Sequence, residues 1–160
     1  MDPSMIVYVD EAGMDNDEMP QRGWAPIGER LYQLKPGAST QRITIIGGLN
    51  NNDMIAPLIF EGYTNTAVFI AYLQQVLIPT LKPGQTVVMD NAAFHKSNII
   101  RDLIESAGCF LKYLPTYSPD LNPIEHYWHA LKNNLRKKLV QSDFNLIHAA
   151  QLVFNQTGLY

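Results

Sequence analysis

The sequence predicts an α/β fold, a mixed five-stranded sheet flanked by helices. Three observations carry that reading. Two short apolar runs, residues 5–9 and 86–89, each break off at an aspartate, Asp10 and Asp90. Two further strand-like runs, 42–49 and 54–61, flank the polar stretch Asn50-Asn51-Asn52-Asp53 in the manner of a hairpin. From Asn65 onward, helix-like and strand-like segments alternate. A hairpin that leads into alternating α and β elements gives a mixed sheet with helices on its faces.

Each element has a local cause. Met5-Ile6-Val7-Tyr8-Val9 is short, apolar and β-branched, as in a strand buried on both faces. Residues 14–39 are rich in Gly, Pro, Asp and Arg and read as loop, with one short strand at 31–34. The hairpin over 42–61 closes through a four-residue turn. A helix is expected from Asn65 to Ile78, capped by Asn65 or Thr66 and ended by Pro79 and Lys82-Pro83-Gly84. Thr86-Val87-Val88-Met89 repeats the opening strand pattern. The next helix takes Ser97 as its cap and Gly108 as its stop. Residues 110–114 read as strand and 115–122 as a turn-rich loop, with helices over 123–139 and 143–155.

Composition bounds the function. The 160 residues suit one domain, and a 46% hydrophobic content excludes a disordered chain. One cysteine excludes an internal disulfide and a multi-cysteine zinc site. Cys109 lies in an apolar stretch and reads as a small core residue. Met1-Asp2-Pro3 does not begin a secretory leader, and the apolar stretch 66–78 is too short for a bilayer and contains Gln74 and Gln75. The expectation is a soluble, cytoplasmic protein without a membrane partner or a small-molecule cofactor. A net charge of −3 speaks against a free-standing nucleic-acid module, which is usually strongly basic.

Asp10 and Asp90 occupy matching places, each the first charge after an apolar strand. If those strands are parallel neighbours, their C-terminal ends form the edge of the sheet where ligands bind. Two carboxylates so close repel each other unless one is protonated or a cation lies between them. Magnesium, a hard cation with oxygen ligands, meets that need. Taken singly, each aspartate also fits a plain strand-end turn. A third carboxylate comes from Ser118-Pro119-Asp120-Leu121-Asn122-Pro123-Ile124-Glu125. Here Asn122 suits an N-cap, Pro123 the first helical position and Glu125 the third, which is nearly a capping box. Glu125 therefore has two readings, a partner for the Asn122 backbone or a metal ligand beside the helix start.

Three segments decide the matter. Val7-Tyr8-Val9-Asp10-Glu11-Ala12-Gly13, Val88-Met89-Asp90-Asn91-Ala92-Ala93-Phe94-His95, and the stretch from Tyr113 through Pro115-Thr116-Tyr117-Ser118-Pro119-Asp120-Leu121-Asn122-Pro123-Ile124-Glu125 to Trp128 closely resemble the signature blocks of DDE transposases. The branch is the mariner-like superfamily with its bacterial insertion-sequence relatives. The 34 residues between Asp90 and Glu125 match the interval of its glutamate-ending members. Arg22-Gly23-Trp24-Ala25-Pro26 resembles the Trp-Ala-Pro loop of the bacterial branch. The resemblance implies a ribonuclease H-like fold in which Asp10, Asp90 and Glu125 are the catalytic carboxylates and hold two Mg2+ or Mn2+ ions. It implies two-metal-ion phosphoryl transfer: cleavage at transposon ends, then strand transfer into target DNA at TA. It also implies DNA as partner, a homodimer or higher synaptic assembly, and nucleoid association in a bacterial host. Full-length relatives carry an N-terminal helix-turn-helix region, so residues 1–160 are expected to be a single catalytic domain without it. The competing reading is an inactive or truncated remnant that serves as a DNA-binding or assembly module. A simple nuclease of the ribonuclease H type fits the third segment less well.

Other residues carry weaker signals. Glu11 neighbours Asp10 but should face the opposite side of an extended chain. Asn91, His95 and Asn122 are candidates to support the carboxylates or contact DNA, with a structural role as the alternative. His126 and His129 read as a helix face, and Trp128 as core under the site. Trp24 is a loop aromatic with a DNA or subunit contact as one reading. Asp15-Asn16-Asp17-Glu18 lacks the glycine and distal glutamate of a calcium loop and reads as solvated loop. Lys132 and Arg136, at i and i+4 in a basic run with Lys137 and Lys138, share a helix face and are phosphate-contact candidates.

Overall fold

Hydrogen bonding organises five strands around the first one. The computed structural model describes residues 2–16, 41–139, 142 and 145–157. Within them, β1 (Ile6–Asp15), β2 (Arg42–Asn50), β3 (Asp53–Glu61), β4 (Thr86–Met89) and β5 (Phe110–Tyr113) form a sheet in the order β3-β2-β1-β4-β5. β2 is antiparallel to both β1 and β3, whereas β4 is parallel to both β1 and β5. The expected mixed five-stranded sheet is therefore present, and β1 is its central strand.

β1 is longer than its apolar run. Its pairing with β4 stops at Val9↔Met89, but its pairing with β2 continues to Asp15↔Arg42. Asp10 thus lies inside a strand rather than after one, at the step where the parallel neighbour leaves. The hairpin is also tighter than expected. Asn50 pairs with Asp53, which leaves a two-residue turn of Asn51 (φ +49°) and Asn52 (φ +68°). Asparagine tolerates that left-handed backbone, and two such residues match the twist of the flanking strands. Between Ile46↔Leu58 and Gly48↔Ile55 the register shifts, so Ala56 and Pro57 together face Gly47. A bulge on an edge strand accommodates a proline without wasting a sheet hydrogen bond.

Helices cover both faces. α1 (Thr66–Tyr72) and α2 (Asn98–Ser106) pack Phe69, Tyr72, Ile100 and Ile104 on Val7, Val9, Val87 and Met89. α3 (Ile124–Leu139) and α4 (Leu146–Thr157) pack Trp128, Leu131, Leu135, Ala149 and Val153 on Ile43, Ile45 and Met14. The expected caps form: Asn65 Oδ1 accepts from Val68 N at 2.9 Å, and Ser97 Oγ from Ile99 N at 3.2 Å. The single helix expected over 65–78 is instead α1, then a wider π turn over Leu73–Leu77 and a 3-10 turn over Ile78–Thr80 containing Pro79. Leu73 and Leu77 still bury fully. α3 begins one residue after Pro123, and α4 runs three residues later than expected at its start. Cys109 is buried, as its context suggested. Asp15 and Asn16 are not solvated loop: Asp15 ends β1 and pairs with Arg42 at 3.1 Å, and Asn16 is buried with its Oδ1 accepting from Gln41 N. The 31–34 strand, Asp17, Glu18 and the loop with Trp24 lie outside the described residues. Among the described residues no helix is long and apolar enough to cross a membrane.

Candidate active site

The parallel register of β1 and β4 brings Asp10 and Asp90 to adjacent positions one step past Val9↔Met89. Opposite Asp10 on β2 stands Gly47, which adds no side chain to that face. A Cβ there would come within 3.5 Å of the Trp128 ring, so Trp128 packs beneath this part of the sheet, as expected. The first turn of α3 supplies Glu125, an exposed side chain. Asp90, Asn91, Thr116, Tyr117, Asn122 and Glu125 line one cavity of about 330 Å³.

Asp10 is 6% exposed, and its neighbours are negative. Burial first, then the charges of Glu11, Glu125 and Asp90, push its carboxyl up to about 7, against the lowering effect of a hydrogen bond from the Glu11 backbone. That bond runs from Glu11 N to Asp10 Oδ1 at 2.8 Å. On the other oxygen, Asn122 Nδ2 donates to Asp10 Oδ2 at 3.3 Å. Asn122 does not cap α3. Its N–H goes to Pro119 O, its Oδ1 has no partner, and its side chain is buried against Asp10. The capping-box reading of Glu125 fails with it, because a tertiary contact has claimed the residue that would have anchored the box. Glu125 is left facing the cavity.

Asp90 differs from Asp10. The hydrogen bond with His95 holds its carboxyl below the ordinary range, against partial burial. Asp90 Oδ1 meets His95 Nδ1 at 2.5 Å and accepts from Ala92 N at 3.2 Å. His95 is fully buried, so the reading of it as a DNA contact is overturned: it lies behind Asp90. Burial alone would lower its pKa, but the carboxylates of Asp90 and Glu11 outweigh it and raise the imidazole to about 9. Glu11 does face away from Asp10, yet it is not idle, since its Oε2 lies 3.3 Å from His95 Nε2. Sequence reasoning missed this contact because strand alternation says which side Glu11 takes, not what meets it there. Asn91 Nδ2 donates to Thr116 Oγ1 at 2.9 Å and so ties the two loops that wall the cavity. Lys132 and Arg136 are half-buried on α3 and do not line the cavity; Arg136 Nη1 donates to Asn133 Oδ1.

The donor set suits a hard cation. Asp10, Asp90 and Glu125 converge closely enough for their charges to act on Asp10, and among the described residues no ion pair reaches Asp10 or Glu125. The three do not already close into a cage: among the described residues no three His, Cys, Asp or Glu side chains are drawn tightly enough together to hold an ion. Like charges this near repel one another, and a hard cation among them would offset that repulsion.

Residues 5–147 match the family described as DDE superfamily endonuclease. The insertion element IS630 uncharacterized 39 kDa protein of Shigella sonnei is 24% identical over 135 residues, 82% of this chain and 39% of the relative. Among solved structures, the Mos1 strand transfer complex aligns with a TM-score of 0.62 at 20% identity, over 82% of this chain and 41% of that one. The mariner Mos1 paired end complex with Mg gives 0.63 at 17% identity, over 91% and 49%. The catalytic core domain of BIV integrase gives 0.54 at 14% identity, over 93% and 80%. At these identities the structural likeness establishes the fold, which is ribonuclease H-like. The chain spans about two fifths of the length of the Shigella relative and of the Mos1 chain in the strand transfer complex.

Proposed function

The chain belongs to the DDE superfamily endonucleases, and from that premise we propose that it is a transposase catalytic domain. Its reaction is DNA strand cleavage at transposon ends followed by strand transfer into target DNA, at TA dinucleotides as the sequence resemblance implies. The observation that carries this reading is that Asp10 and Asp90 stand side by side where β4 leaves its parallel pairing with β1, with Glu125 near enough for its charge to act on Asp10 and no basic side chain paired to Asp10 or Glu125 among the described residues.

Asp10, Asp90 and Glu125 would hold Mg2+ or Mn2+, two ions per site. When bound, such ions activate an attacking oxygen and stabilise the leaving one at phosphorus. The rest is the work of this chain. Asn122 fixes the buried Asp10 carboxylate through Oδ2. Glu125, exposed on the first turn of α3 and lining the cavity, would complete the set. The cavity walls, tied by Asn91 and Thr116, give the scissile phosphate a defined approach beside Asp90. Lys132 and Arg136 lie further along the helix that bears Glu125 and would meet the DNA backbone beyond the site. The proposed assembly pairs two transposon ends in a homodimer or larger complex.

Nicking of supercoiled plasmid with Mg2+ or Mn2+ tests the reading. Wild type should nick and Asp90→Asn should not. Equal nicking by both sinks the catalytic assignment. Manganese binding without nicking by either would favour the remnant that binds or assembles without cutting. Sequenced insertion junctions check the TA preference.

A further inference from the structure

We propose that His95 is a positioning residue which, anchored on Glu11, pins one oxygen of Asp90 and leaves the other to face the cavity. The inference rests on the metal-binding reading above and concerns how the chain prepares that ligand.

The two oxygens of Asp90 are not equivalent. Oδ1 is occupied twice, by His95 Nδ1 at 2.5 Å and Ala92 N at 3.2 Å. Oδ2 has no hydrogen bond among the described residues, and the side chain is about half exposed where it lines the cavity. A carboxylate held by one oxygen cannot rotate freely, so its other oxygen keeps a fixed heading. Residues that orient metal ligands in this way commonly change metal affinity when they are removed.

His95 is itself immobile. It is fully buried, and its ring lies 4.5 Å from that of Phe69 and 4.3 Å from that of Phe94, centroid to centroid. Tyr113 Oη donates to the His95 carbonyl at 2.6 Å, which fixes the backbone from β5. Both ring nitrogens face carboxylates, since Nε2 lies 3.3 Å from Glu11 Oε2, near enough for an ion pair though without an aligned hydrogen bond. Nδ1 donates to the Asp90 carboxylate, and Nε2 sets the far edge of the ring against that of Glu11. Glu11 closes the circuit, because its backbone N–H donates to Asp10 Oδ1. One residue pair, Glu11 and His95, therefore touches both strand-borne carboxylates, Asp10 through the Glu11 backbone and Asp90 through the His95 ring. The same contact occupies Glu11 and keeps it from competing as a ligand.

Manganese binding provides the test, read from the free-ion signal in electron paramagnetic resonance, without DNA. His95→Ala should weaken Mn2+ affinity about tenfold or more. His95→Asn, whose amide can stand where Nδ1 does, should restore much of it. Glu11→Gln keeps the side-chain size and should weaken binding by a smaller factor, about threefold; it carries the test if His95→Ala does not fold. Affinities within twofold of wild type in folded His95→Ala, or in Glu11→Gln where the alanine variant does not fold, overturn the proposal. Equal weakening by folded His95→Asn and His95→Ala also overturns it, because a restored donor would then be worth nothing. The outcomes separate from those of the proposed function: wild type that binds manganese and never nicks removes the cleavage reading alone. A His95→Ala protein that binds and nicks normally removes the positioning role alone.

Discussion

Asn122 Nδ2 lies 3.3 Å from Asp10 Oδ2, a buried contact between residues 112 positions apart. Through it the start of α3 grips the central strand of the sheet. Asn122→Ala would leave a buried carboxylate oxygen without its side-chain donor. The expected loss is about 1–3 kcal/mol in denaturant unfolding, with a fall in plasmid nicking larger than that loss explains. Asn122→Asp would set a further carboxylate against Asp10. It should destabilise the metal-free protein and regain part of the loss in Mn2+. An Asn122→Asp protein as stable as wild type without metal contradicts the account of charge crowding at this point.

The same crowding predicts a pH dependence. Burial, then Glu11, Glu125 and Asp90, raise Asp10 to about 7 from an ordinary 3.8. The folded state therefore binds that proton more tightly than the unfolded chain, and stability declines from about pH 4 to pH 7. Burial works against His95 protonation, but Asp90 and Glu11 raise its pKa to about 9, so its contribution is complete below its ordinary 6.5 and is lost as pH climbs through 9. Asp90, lowered chiefly by His95, contributes above its ordinary value and loses that share as pH falls through its depressed one. Melting of the metal-free protein should thus peak in mild acid and fall toward alkaline pH. A divalent cation held at Asp10, as proposed above, would displace that proton, so a metal-induced rise in Tm should grow with pH. Asp10→Asn should flatten the decline between pH 4 and 7 and remove most of the metal effect. A metal effect of constant size across that range would falsify this linkage.

What was legible in the chain was local or repeated. Asn65 and Ser97 cap as read, because a cap needs only its own next few N–H groups. The neighbourhood of Asp10 and Asp90 was legible because two apolar strands with the same ending fit side by side in parallel. The length of β1 was not, since its second half is held by β2, some 30 positions away in sequence. Asn122 was read as a cap because local spacing permits one, and Asp10 took its side chain instead. The Glu11–His95 contact depends on how the turn Ala93–Lys96 folds under Phe69, which no periodicity encodes.

Gly47 tests the packing opposite Asp10. A Cβ at this position would stand 2.5 Å from Met54 Sδ and 3.5 Å from Trp128 Cη2. The methionine is flexible and can give way, so Gly47→Ala should cost about 1 kcal/mol, and Gly47→Val about 1–3 kcal/mol by overpacking. Chemical denaturation with both variants measures the difference. Equal stabilities for alanine and valine would mean that the pocket over Trp128 is roomier than its contacts imply.

Lys132 and Arg136 test the DNA path along α3. If each meets a phosphate, Lys132→Ala or Arg136→Ala should reduce the slope of log K against log salt by about 0.9, with little effect on melting temperature. Fluorescence anisotropy of labelled duplex at several salt concentrations reads that slope. An unchanged slope removes the substituted residue from the DNA path, whatever happens to affinity at one salt concentration.

Tyr117 offers a trade between stability and binding. Its backbone has φ +56°, in the left-handed region, and its side chain is 98% exposed, so packing does little to offset the backbone cost. A non-glycine residue held there loses about 1–3 kcal/mol, while glycine adopts the conformation freely at an entropic cost of about 0.5–1 kcal/mol. Tyr117→Gly should therefore unfold at equal or higher denaturant concentration than wild type. The ring also stands at the rim of the cavity that Asp90 and Glu125 line, where an unstacked base could lie on it. Stacking of that kind is worth about 1–3 kcal/mol per base, so Tyr117→Gly should bind a single-stranded oligonucleotide about 5- to 150-fold more weakly. Tyr117→Phe keeps the face and should bind as wild type does. Equal affinities for the glycine and phenylalanine variants would exclude the ring from the substrate path and leave the backbone conformation to be explained by the turn alone.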